Sequence, residues 1–129
     1  MNKAIINEEI AYAYEALADK KIAVKGKIDK TYRGQISTFG AAITMGSLFP
    51  AIAFFSEKGG ASVDRQRLMD AILFVLKKRD SDIKENNMYD YAANRKNNAA
   101  KCKEDILNAT IALKLAMNLY DLSKEGKKE

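Results

Sequence analysis

The sequence predicts an all-α protein, a compact bundle of about five to six helices. Three observations carry this expectation. Apolar residues recur at steps of three and four along most of the 129-residue chain. One proline and seven glycines suit helices better than the turn-rich chain of a β-sandwich. No stretch alternates polar with apolar residues as a half-buried strand would. At this length there is room for one core, so residues 1–124 are read as a single helical domain and residues 125–129 as a flexible tail.

Ile6, Ile10, Ala13 and Leu17 mark a first helix running from near the N-terminus to about Lys25. A second follows, with Ile28, Tyr32, Ile36, Phe39 and Ile43 on one side. The pattern breaks at Gly46 and restarts with Leu48, Ile52 and Phe55. Gly46 is expected to take a left-handed end conformation, Ser47 to cap the next helix, and Pro50 to fall in its first turn. Gly59-Gly60 would stop that helix. Ser62 would cap another reaching about Arg79, with Asp64 in its first turn. The centre of that helix, Ile72-Leu73-Phe74-Val75-Leu76, could pass for a buried strand. Its flanks QRLMDA and KKR are helix formers, so it is read as helix. Asp82 and Glu85 resemble a capping box opening a last segment that extends to about Ser123. The half from Asn86 to Asn98 is polar and reads as broken; Ile106, Thr110, Leu113, Met117 and Tyr120 restore the period.

The run from Gly34 to Ser56 carries no charge in a chain that is 30% charged. A membrane span needs about 20 predominantly apolar residues. This run is diluted by serine, threonine, glycine and Pro50, and it shows faces, so it reads as core. Phe39, Phe49, Phe54 and Phe55 are expected at the centre of that core.

Composition narrows the chemistry. There is no histidine, which removes the commonest general base near neutral pH and the commonest transition-metal ligand. The single cysteine, Cys102, cannot form an internal disulfide and favours a reducing compartment. The opening MNKAIINEEIAYAYEAL places acids where a signal peptide needs an apolar core, so a cytoplasmic protein is expected. Asp80, Asp82 and Glu85 form the best carboxylate cluster, a magnesium site at most. Lys77, Lys78, Arg79 and Lys84 surround it, and the ordinary reading is a solvated helix junction. Neither a catalytic constellation nor a cofactor site is expected.

The net charge of +5 is uneven. Lys25, Lys27, Lys30 and Arg33 stand against Asp29 alone. Arg95, Lys96, Lys101 and Lys103 form an acid-free patch. Such stripes can neutralise phosphates, and Tyr89 and Tyr91 add faces on which bases could stack. The plainer reading of the same residues is solvated helix faces and half-buried tyrosines. The nucleic-acid candidates are therefore Lys27, Lys30, Arg33, Arg95, Lys96, Lys101 and Lys103. Lys27, Lys30 and Arg33 would share one face of the second helix, opposite Tyr32.

The stretch TYRGQISTFGAAITMGSLFPAIAFFSEKG resembles the signature of the small subunit of type III-B CRISPR effector complexes, the Cmr small-subunit family. Tyr32-Arg33 matches that family's Tyr-Arg pair. Gly46-Ser47-Leu48 stands where the family has an Asn-Gly-Leu turn, and Ala53-Phe54 and Lys58-Gly59 match the end of its next helix. In NATIALKLAMNLYDLSK, Ala109-Thr110 matches the family's Ala-Thr helix. Asn118-Leu119 stand where the family often has tryptophan. The resemblance implies an all-helical fold, no catalysis and a place in a guide-RNA complex. Copies of the chain would stack beside the other Cmr subunits and help hold the guide and target RNA. A free-standing helical nucleic-acid-binding protein is the second reading and an enzyme a distant third.

Overall fold

In the computed structural model, residues 1–56 and 63–123 are described. They form six α-helices: α1 (Lys3–Asp19), α2 (Lys30–Met45), α3 (Leu48–Phe55), α4 (Gln66–Arg79), α5 (Met88–Ala93) and α6 (Ala99–Met117). A 3₁₀ turn, Lys96–Asn98, precedes α6. Three short strands, β1 (Ala23–Val24), β2 (Lys27–Asp29) and β3 (Asp121–Ser123), complete the fold. Gly59, Gly60, Ser62 and the expected tail at 125–129 lie outside the described residues.

Helix α6 is the axis of the bundle and packs against α1, α2 and α4. Its buried residues, among them Cys102, Ile106, Ala109, Thr110, Leu113, Ala116 and Met117, cover most of its circumference. That is the pattern of a helix enclosed by others rather than one lying on a surface. Helix α4 is similar. The strand-like run Ile72 to Leu76 is helical there, with only Phe74 partly exposed. No helix of the described residues is long and apolar enough to cross a membrane.

Helix α1 begins where Asn2 Oδ1 accepts the backbone N–H groups of Ala4 and Ile5 at 3.1 and 3.2 Å. It stops at Asp19, short of the expected Lys25. Lys21 turns into the left-handed region (φ 61°), and the Ile22 N–H reaches back to the Leu17 carbonyl at 3.0 Å. Lys25 and Gly26, both with positive φ, then make a two-residue hairpin turn between β1 and β2. Strand β3 adds to β2 in parallel, with Lys27 opposite Asp121 and Ile28 opposite Leu122. The all-α class with about six helices holds as expected, and a small sheet of three short strands is added to it. Two or three residues pair here, too few for an alternating pattern to show.

Ile28 therefore belongs to β2. Tyr32, Ile36, Phe39 and Ile43 form the buried face of α2, as their spacing predicts. Asp29 caps that helix, its Oδ1 accepting the Thr31 N–H at 2.9 Å. Gly46 ends it differently from expectation. Its backbone is extended (φ −139°), and a Cβ there would stand 3.0 Å from the Ala42 carbonyl oxygen. Close approach, not a left-handed turn, is what the missing side chain permits. Ser47 occupies the cap position of α3 without a side-chain capping bond.

Phe39 and Phe55 meet edge to face, ring centroids 5.2 Å apart, and both are fully buried. Phe49 is only partly buried, and Phe54, expected inside, is 53% exposed. Ala51, Ile52 and Phe55 form the inner face of α3. At about 100° per residue, Phe54 lies roughly 200° from Ile52 and faces out. The Arg65 guanidinium covers its ring at 4.5 Å from the centroid.

Ahead of α4, Asp64 Oδ1 accepts the Gln66 N–H at 3.0 Å, so Asp64 precedes the helix instead of lying in its first turn. The Asp82/Glu85 capping box does not form. Asp80 Oδ1 accepts the Asp82 N–H at 3.0 Å, and Asn87 caps α5 by accepting the Asp90 N–H at 2.8 Å. The last helix ends at Met117, not near Ser123, because the chain turns there into β3.

Candidate nucleic-acid interface

The seven basic candidates divide by position and by partner. Lys27 is exposed on β2, so the expected single helical face of Lys27, Lys30 and Arg33 is corrected. Lys30 opens α2 and is exposed, and Arg33 follows one turn later, half-buried. Its Nε is enclosed without a hydrogen-bond partner among the described residues. The three still cluster, because β2 runs directly into α2.

The second group lies at the other end of α6. Parallel pairing of β2 with β3 holds Lys27 beside Asp121, four residues after α6 ends, whereas Lys101 and Lys103 sit in its first turns. The helix has 19 residues and so spans about 28 Å. The two groups are not one continuous patch.

Within the second group the charges are unequally available. Arg95 pairs with Glu85 at 3.1 Å, donates to the Tyr91 carbonyl at 2.9 Å and lies over the Tyr91 ring at 4.0 Å. The Asn94 amide, together with the Arg95 charge, holds the Glu85 carboxyl well below its usual range, at about 2. Lys101 pairs with Asp105 at 2.8 Å. These two bases are already matched. Lys27, Lys30, Arg33, Lys96 and Lys103 have no ion pair among the described residues.

The tyrosines divide in the same way. Tyr91 is buried and covered by Arg95, and burial raises its phenol. Tyr89 is exposed and meets the Phe49 ring edge to face at 5.6 Å, while the Lys96 ammonium stands 5.9 Å from Phe49. This aromatic and basic group joins α3, α5 and the 3₁₀ turn. Phe49 lies forty residues from Tyr89 in sequence, and nothing local announced the pairing. Among the described residues no group of three His, Cys, Asp or Glu is placed to hold a metal ion.

Fold and surface define a small helical protein with basic groups near both ends of its central helix that have no ion pair among the described residues. The family model for CRISPR-associated protein (Cas_Cmr5) matches residues 5–118, and the chain belongs to that family, the small subunit of type III-B Cmr complexes. It works with other Cmr subunits. No curated protein and no solved structure matches the chain.

Proposed function

We propose that the chain is a non-catalytic scaffold of the Cmr complex, helping to assemble the filament that holds guide and target RNA in the cytoplasm. The observation that carries this reading is the set of bases without an ion pair among the described residues, Lys27, Lys30 and Arg33, where β2 enters α2. Cations without a carboxylate partner among the described residues gain from phosphate by releasing its counterions. Lys27, Lys30 and Lys96 are exposed, and Arg33 and Lys103 are half-buried. Lys96 and Lys103 offer the same at the far end of α6, and Tyr89 offers a ring face for a base. Arg95 and Lys101 already have carboxylate partners in Glu85 and Asp105 and are the weaker phosphate candidates. Neighbouring copies and other Cmr subunits meet the remaining faces.

The test is salt-dependent RNA binding by the assembled complex carrying Lys27→Ala, Lys30→Ala and Arg33→Ala. Each lost phosphate contact lowers the salt slope by about one unit and weakens all sequences alike. Unchanged binding together with unchanged assembly would return these residues to an ordinary solvated surface.

A further inference from the structure

Between α1, α4, α5 and the start of α6 lies a cavity of about 480 Å³, within the size range of ligand pockets. Ile5, Leu76 and Ile83 supply apolar wall. Arg79, Arg95 and Lys101 line it too, but each already has a carboxylate: Glu8 at 2.6 Å, Glu85 at 3.1 Å and Asp105 at 2.8 Å. The group left over is an acid. Glu9 lines the cavity at 1% exposure, and its Oε1 has no hydrogen-bond partner among the described residues. Its Oε2 lies 3.9 Å from Arg79 Nε, beyond hydrogen-bond length. A buried carboxylate oxygen without a donor is costly, and a donor entering the cavity would relieve that cost.

We propose that this cavity receives a cationic nitrogen donor, a guanidinium or a primary ammonium, that donates to Glu9. An anion is disfavoured because the bases that could hold it are already matched, whereas a cation finds Glu9, with Asp80 also lining the cavity. Burial raises the Glu9 carboxyl to about 7, with Asp105 and Glu8 adding to the rise and Arg79 opposing it. A bound cation therefore ionises Glu9 and expels its proton. Two sources carry such a group: a basic side chain of an adjoining subunit, or a free small cation.

The probe is methylguanidinium, titrated into the purified full-length chain by calorimetry in buffers of different ionisation enthalpy. Saturable binding is expected, with proton release near pH 6 that fades by about pH 8, where Glu9 is already ionised. Glu9→Gln keeps the shape, and it should weaken binding about tenfold or more and remove the proton release. No saturable binding to the wild type, or equal binding by Glu9→Gln, overturns the proposal. Repeating the titration on the assembled complex separates the sources. Uptake there means a free cation, and blocked uptake means a subunit's side chain already fills the cavity. The isolated-chain titration needs no complex, so it stands or falls apart from the role in assembly.

Discussion

Lys27 stands opposite Asp121 in the parallel pairing of β2 with β3, which ties the start of α2 to the end of α6. This short strand contact fixes where the first basic group points. It also separates that group from Lys96 and Lys103 by the length of α6. On the proposed role, extended RNA reaches both ends and a short oligonucleotide only one.

Arg95 and Lys27 should therefore behave differently on substitution. Arg95→Ala removes the bonds to Glu85 and the Tyr91 carbonyl and should cost about 1–3 kcal/mol in a denaturant melt. It should leave the salt slope of RNA binding unchanged. A lowered slope with unaltered stability would show that Arg95 meets phosphate after all.

Tyr89→Ala tests the aromatic group. If a base stacks on this ring, binding of the complex to single-stranded RNA should weaken by about 1–3 kcal/mol with little change in salt slope. Wild-type affinity in the variant would leave Tyr89 a surface residue packed on Phe49.

The phenylalanines of α2 and α3 should rank by burial. Phe39→Ala and Phe55→Ala should each cost about 3–5 kcal/mol. Phe54→Ala, losing its contacts with Arg65 and with the edge of Phe55 but little buried area, should cost about 1–2 kcal/mol. Equal losses at Phe54 and Phe55, read from thermal melts, would contradict the outward placement of Phe54.

Glu9 and Glu85 should shape the pH profile in opposite directions. Glu9 titrates at about 7 in the fold against 4.5 ordinarily, so the folded state binds its proton more tightly than the unfolded state. Its contribution is fully present below about 4.5 and is lost as pH rises through about 7, at most about 3 kcal/mol. Glu85, held at about 2, contributes stability above 4.5 that is lost as pH falls toward 2. Glu9→Gln should flatten the fall between about pH 4.5 and 7 and make the chain more stable at pH 8. A profile in that window unaffected by the substitution would refute this account of Glu9.

Much of the helical frame is legible from periodicity. Tyr32, Ile36, Phe39 and Ile43 repeat in a stretch free of charge, and no alternative face competes with theirs. Gly46-Ser47 marks the break correctly, although Gly46 serves by letting its backbone approach the Ala42 carbonyl. What escapes is set by tertiary contact. The spacing of Leu48, Ile52 and Phe55 already keeps one face that excludes Phe54; what the sequence does not show is that Phe55 meets Phe39. Strands of two or three residues fall below any period. Of the candidate site, the charge clusters are visible in sequence, and so is the i,i+4 spacing of Lys101 with Asp105, whereas the pairing of Arg95 with Glu85 depends on the fold. Glu9 had a signal, since Ile6, Glu9, Ala13 and Leu17 lie on one face of α1, which places the acid among apolar neighbours.

The most direct test of the scaffold role is purification of a tagged chain from its host, with identification of the proteins and RNA that accompany it and a nuclease assay on the chain alone. The account predicts other Cmr subunits together with guide RNA, and no RNA cleavage by the isolated chain in magnesium or manganese. A chain recovered without those subunits, or one that cleaves RNA alone and loses that activity on Asp80→Asn or Asp82→Asn, would contradict it.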